Sequence, residues 1–217
     1  MKLIQHKFKT PLTSILSSVL AVFALSSCNA GKGIVNEVQP KPVVHFEQGW
    51  SKEEAMDFYY TTQGSHLMPY AWFLALEQDT NNKLFRDEQN IKKLGYIPQP
   101  KIAGINPDGL PIGFVKDDRP DEFLSKSLTR DRLSSNSVTN EWLGFTCAAC
   151  HTSEIVFDEQ RLRIDGGPPL SDMQSLLQNM SKALAATSKD DAKMTRFAKR
   201  VLAQGGYNAV EQQALKE

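Results

Sequence analysis

The run Cys147-Ala148-Ala149-Cys150-His151 constrains this chain more than any other feature. On one helical turn, positions i, i+3 and i+4 share a face, so two sulfurs and an imidazole project to one side. C-x-x-C-H is the attachment signal of c-type haem. The two thiols form thioethers with the vinyl groups, and the imidazole supplies the proximal nitrogen to iron. A structural zinc site calls for four ligands, and the chain has neither a second Cys pair nor an H-x-x-x-H run. A thioredoxin-like dithiol calls for a βαβ setting, and none is legible around Cys147. The expected cofactor is therefore one covalent haem c, its iron held by His151.

The N-terminus carries Lys2, Lys7 and Lys9 and then an uncharged apolar run from Ser14 to Leu25. That is the pattern of an export signal, too short for a stable membrane span. It closes on Leu25-Ser26-Ser27-Cys28, which resembles the lipobox of bacterial lipoproteins, where the Cys becomes the lipidated first residue. Ordinary cleavage after Ala30 is the alternative. With Cys28 on lipid and Cys147 and Cys150 on haem, none of the three cysteines remains for a disulfide, so core and cofactor must hold the fold. By the same resemblance to bacterial lipoproteins, Asn29 after the lipidated Cys implies a periplasm-facing anchor in the outer membrane. Removing three signal lysines leaves 25 − 3 = 22 basic against 25 acidic residues, a balance that gives nucleic acid nothing to bind.

This reading divides the chain into a signal peptide (1–27), a lipid-anchored tether (28–50), a helical and loop region (51–120) and a cytochrome c-like haem module (121–217). The fold class it implies is mainly α with long irregular loops and one small β-hairpin. Ser51 and Glu54 form a capping box for a first helix running to Gly64. Pro69 opens a second, apolar nearly all round, and Asp87 starts a short third that stops at Gly95. Residues 96–136 carry many Pro and Gly and little periodicity; they either wrap the macrocycle or form a surface excursion. Ile102, Ile105, Leu110, Ile112 and Phe114 in this stretch favour packing over disorder. The haem helix is expected to begin near Asn140, with Trp142, Leu143 and Phe145 on its approach. Glu154–Phe157 and Arg161–Ile164 then make a hairpin. Ser171 and Gln174 cap a helix with Met173, Leu176, Leu177, Met180 and Leu184 in one stripe. Another spans Asp190–Gln204, and one from Asn208 is still in progress at Glu217.

The sixth iron position separates an electron carrier from an enzyme. Candidate ligands are His45, His66, Met68, Met173, Met180 and Met194; the other alternative is an open distal face. Arg161 and Arg163 are candidate partners of the haem propionates, because a guanidinium pairs with carboxylate in bidentate fashion. The alternative for both is ordinary hairpin surface charge.

Several segments resemble one known group in order. They are Gln63-Gly64-Ser65, Pro69 to Glu77, Leu84-Phe85, Gly95-Tyr96-Ile97-Pro98, Asn106 to Pro111, Trp142-Leu143-Gly144, the haem motif and Arg163 to Pro168. Together they resemble the dihaem cytochrome c peroxidase-like proteins, with the rubber oxygenase-like branch nearest, over roughly residues 46–187. The resemblance implies a haem protein of loops and helices, two c-type haems, and peroxidase-like or oxygenase-like chemistry. Cys147, Cys150 and His151 match that family's first haem site. Its second C-x-x-C-H lies downstream, whereas here 217 − 151 = 66 residues follow His151 without a Cys. The chain is then either a truncated dihaem protein or a single-haem relative, and the helix in progress at Glu217 points to truncation. Besides a structural envelope lipoprotein whose haem only stabilises the fold, two functions remain open. One is electron transfer in the bacterial envelope, with a small redox protein as partner and the membrane reached through the lipid anchor. The other is a peroxidase or dioxygenase that consumes a small-molecule oxidant.

Overall fold

A computed structural model describes residues 42–46, 48–118, 141–205 and 213. The signal, Cys28, most of the tether, the later part of the 96–136 stretch and the helix from Asn208 lie outside the described residues.

The first helix, α1 (Lys52–Tyr60), starts as its sequence dictates. Ser51 Oγ accepts from the Glu54 amide at 3.1 Å, and the Glu54 carboxylate accepts from the Ser51 amide at 2.7 Å. Two orphan donors are thereby satisfied. Ala55 and Tyr59, one turn apart, form its buried face. The short strand β1 (Val43–His45) precedes it, and β2 (Met68–Pro69) leads directly into α2 (Tyr70–Ala75). Asp87 caps α3 (Glu88–Lys93) through the Gln89 amide, and Ile91 is its buried anchor. Gly95 ends that helix at φ +79°, where an added Cβ would sit 2.1 Å from the Leu170 carbonyl oxygen. Only glycine fits there.

Strands β3 (Phe114–Asp117) and β4 (Trp142–Phe145) pair antiparallel, and β2 joins the other edge of β4, giving the order β2-β4-β3. After β4 comes a single helical turn, α4 (Ala148–His151), and then the hairpin β5 (Thr152–Phe157) and β6 (Gln160–Asp165). β1 adds in parallel to β6, so a second sheet runs β1-β6-β5. Six strands in two sheets, beside six helices, make the described fold mixed α/β. The expectation of a mainly α, cytochrome c-like module with one hairpin is overturned. Its error lies at Trp142–Phe145, taken for the approach to a helix. Aromatic and branched residues there suit a pleated surface, and Gly144 lets the strand pass Ser65, whose carbonyl oxygen lies 2.5 Å from where a Cβ would be. The strand's partners come from residues 68–69 and 114–117, so one sheet draws on both 51–120 and 121–217.

The core is an aromatic stack around Phe114, which is fully buried. Tyr96 and Phe145 meet it edge-on at 5.0 Å, and Phe73 lies against it at 6.0 Å. A fully buried Phe contributes about 1.5–3 kcal/mol. The described part of the Pro- and Gly-rich stretch packs into this body. Leu110 and Ile112 are buried, and the Asn106 side chain bonds both the amide and the carbonyl of Leu110 at 2.8 Å. Ile105, half exposed, is the exception.

The last two helices, α5 (Met173–Lys189) and α6 (Asp191–Ala203), share Asp190, which ends one and caps the other. α5 is capped by Asp172 onto Ser175, one residue later than Ser171 and Gln174 suggest. Leu176, Met180, Ala183 and Thr187 form its buried face, while Leu177 stays exposed. α6 is clamped by Glu77, which is 2% exposed. Its carboxylate accepts from Arg196 at 2.8 and 2.7 Å and from Arg200 at 2.7 Å. Lys193 donates to the carbonyls of Gln78 and Asn81.

The Arg196 hydrogen bonds, followed by those of Arg200, hold the Glu77 carboxyl down at about 2 although burial opposes them. A depressed carboxylate stabilises the fold above its ordinary value near 4.5, and that contribution is lost as pH falls toward about 2. Glu77→Gln is expected to remove about 2–3 kcal/mol at neutral pH. Urea titrations at neutral pH and near pH 3 check this, because the difference between variant and parent must shrink in acid.

Candidate functional site

The C-x-x-C-H motif is presented by one turn of helix that the body grips through backbone contacts, two alanines and the hydroxyls of Thr146 and Ser171. β4 delivers Thr146, whose amide donates to the Gly113 carbonyl at 2.8 Å and whose hydroxyl donates to the Tyr59 carbonyl at 3.2 Å. That hydroxyl also accepts from the Ala148 amide, so it fixes the first turn from within. Ala148 and Ala149 are 1% and 2% exposed. Gly113, at φ +80°, is in backbone contact with Ala149; a Cβ on it would lie 2.1 Å from the Ala149 nitrogen. Ser171 Oγ donates to the Ala149 carbonyl at 3.1 Å, and the Gly166 amide donates to the His151 carbonyl at 2.6 Å. Thr152 turns extended and ends the helix.

With both alanines inward, the other three motif residues are less buried. Cys147 and His151 are exposed, and Cys150 is half-buried against the edge of the main core. The cysteines are free thiols, not a disulfide. Among the described residues, no group of three or more His, Cys, Asp or Glu is placed to hold a metal ion. Apolar surface lies close by. Leu170 is 64% exposed immediately before Ser171, and Tyr96 donates to Met173 Sδ at 3.9 Å. Burial, and then the neighbouring Cys150 sulfur, push the Tyr96 phenol up to about 12. Donor set and surroundings fit a haem held by Cys147, Cys150 and His151.

A buried polar network sits behind the motif. Asp165 is opposite Thr152 across the hairpin, and its carboxylate accepts from Thr152 Oγ1 at 3.1 Å and from the Tyr59 hydroxyl at 2.8 and 2.9 Å. Burial, and then the Asp165 carboxylate, drive the Tyr59 phenol well above its ordinary range. Arg163, 5% exposed, pairs with Glu154 directly across the strands at 2.8 Å, and Arg161 reaches the same carboxylate at 3.4 Å. Both candidate propionate partners thus share Glu154. Nothing in the sequence singled out Tyr59 or Asp165 for this role; their only signal was a Tyr on the inner face of α1 and an Asp closing β6.

The candidate sixth ligands are scattered. His66 stacks on Trp142 at 5.3 Å and lies 3.7 Å from the Asp117 carboxylate. Met68 and Met180 are core residues, 5% exposed each, and Met194 packs on that core. His45 is exposed on β1. Met173, through Tyr96, is the candidate tied most closely to the surroundings of Cys150.

No family model matches the chain. It is similar to a protein of Sinorhizobium fredii (strain NBRC 101917 / NGR234) described as "Uncharacterized protein y4iJ", with 29% identity over 167 residues. That match takes in 74% of this chain and 26% of the relative, so the chain spans about a quarter of the relative's length. No solved structure matches.

Tyr59→Phe leaves the buried Asp165 short of a donor and is expected to cost about 1–3 kcal/mol. Urea denaturation of the variant beside the parent measures it, and Thr152→Ala should show a smaller loss.

Proposed function

We propose that this chain is a c-type cytochrome carrying one covalent haem and serving electron transfer in the bacterial cell envelope. The observation that carries the reading is a single turn, its two alanines locked inward, that exposes Cys147 and His151 and leaves Cys150 half-buried beside them. Cys147 and Cys150 take the thioether bonds and His151 takes the iron. The bound haem supplies an iron centre that cycles between two oxidation states. The chain's own residues hold the turn: Gly113 abuts it, Thr146 and Ser171 bond its backbone, and the Tyr59–Asp165–Thr152 network braces the strand that follows. Envelope location rests on the signal-like N-terminus and on lipidation of Cys28, and a small redox protein is the partner proposed.

A second reading is a haem peroxidase or dioxygenase acting on a small-molecule oxidant, as the resemblance to the dihaem peroxidase-like proteins implies. The placement of His66, Met68 and Met180 favours it, since stacking and core packing already occupy three of the six candidate sixth ligands. Catalysis then requires a polar group over the distal face.

In a host that matures c-type cytochromes, the protein is expected to keep haem staining after denaturing electrophoresis. Cys147→Ala/Cys150→Ala should abolish the stain, and His151→Ala should keep it while changing the visible spectrum. An unstained parent band overturns the reading. A low-spin ferric spectrum supports the carrier, and a high-spin one that shifts with cyanide or peroxide supports the enzyme. For the anchor, Cys28→Ala is expected to move the protein from the membrane to the soluble fraction on cell fractionation.

A further inference from the structure

The sheet β1-β6-β5 turns polar residues inward at one end. Register places Thr152, Glu154, Val156, Arg161, Arg163 and Asp165 on one face; Thr152, Arg163 and Asp165 are buried there, with Asp165 bonded to Tyr59, while Val156 near the hairpin tip is 63% exposed. The alternate residues Ser153, Ile155, Phe157, Leu162 and Ile164, with Val44 from β1 and Phe46 just past it, occupy the other face. Beyond buried Ser153 that face is open to solvent: Phe157 is 69% exposed, Phe46 52%, Ile155 44% and Val44 37%. Half-buried Leu162 lies between Val44 and Ile155 in the register, so the patch is continuous across all three strands. Contiguous exposed apolar surface of this kind marks an interaction site.

We propose that this outward face rests on a lipid bilayer. The inference builds on the lipid anchor proposed at Cys28. From Cys28 to Pro42 there are 42 − 28 = 14 residue steps, a reach of at most about 50 Å. The first described strand after that tether is β1, whose Val44 belongs to the patch. An anchored chain therefore enters the fold at the edge of its own apolar face. Phe at both ends of the patch, with aliphatic residues between, suits insertion at the headgroup boundary. Asp158 and Glu159 form the hairpin turn next to Phe157, both at positive φ (44° and 63°) and both exposed. Two acids at the rim direct the face toward zwitterionic rather than anionic lipid.

The test uses residues 29–217 exported behind a cleaved signal in a haem-maturing host, so that cofactor is present and acyl chains are not. This protein is expected to sediment with phosphatidylethanolamine–phosphatidylcholine vesicles, and less with vesicles containing added phosphatidylglycerol. Phe46→Ser/Phe157→Ser should lower the partition about tenfold or more with the haem spectrum unchanged. Phe157→Leu should retain it. If the double variant loses its spectrum, Phe157→Ser alone decides. Parent protein left in the supernatant, or a serine variant that sediments equally, overturns the proposal. So does self-association abolished by the same substitutions without vesicle binding, which assigns the face to a second copy. Mass spectrometry of Cys28 in membrane-extracted protein tests the anchor separately: an unmodified Cys28 removes the anchor, and the vesicle result still decides the face.

Discussion

The backbone contact between Gly113 and Ala149 is the constraint on which the site depends. A one-turn helix has no cooperative stability of its own, so α4 must be held by what it touches. Gly113 offers no Cβ, and its positive φ turns its carbonyl to the Thr146 amide. Ala148 and Ala149 can then press flat against the body, because nothing larger than a methyl stands between the two backbones. Once that pair of residues is inward, helical geometry leaves Cys147 and His151 exposed and Cys150 at the edge of the core. The small residues within the motif are therefore as consequential as the reactive ones.

The helix starts and the hairpin were legible because their signals are local. Ser51 and Glu54 satisfy each other within one turn, Asp87 caps its own helix, and the alternation from Arg161 to Ile164 is a strand pattern over a two-residue turn. The strand at Trp142–Phe145 was not legible. Its run of Trp-Leu-Gly-Phe has no clear period, and its identity comes from partners at residues 68–69 and 114–117 that sequence order keeps far away. Reading it as a helix entrance turned a mixed fold into a mainly helical one with a single hairpin. Among the site residues, the C-x-x-C-H pattern named the two cysteines and the histidine of the turn. Tyr59 and Asp165, 106 residues apart, became neighbours only through the fold.

The clamp on α6 shows the same division. Lys193, Arg196 and Arg200 fall at i, i+3 and i+7 and so share a face. The structure turns that face onto Glu77, whose carboxylate no sequence pattern set apart from the other acids. A buried carboxylate is expensive unless its oxygens are fully bonded. Two guanidinium groups supply those bonds, and the helix is thereby fixed in rotation as well as position.

Period-two alternation says that a segment is a strand, yet it is silent about which face turns inward, and the usual assumption sends apolar residues to the core. In β6 that assumption makes Arg161 and Arg163 outward groups free to meet a haem carboxylate. The fold reverses the facing because Tyr59 and Thr152 offer Asp165 the hydrogen bonds that a buried carboxylate requires, while Glu154 answers Arg163 across the strands. A polar layer so satisfied can be buried at little cost. The consequence appears on the other side of the sheet, where the same alternation must push Ile155, Phe157 and Val44 into solvent. The buried polarity of Thr152, Arg163 and Asp165 and the exposed apolarity of Ile155 and Phe157 thus follow from one register.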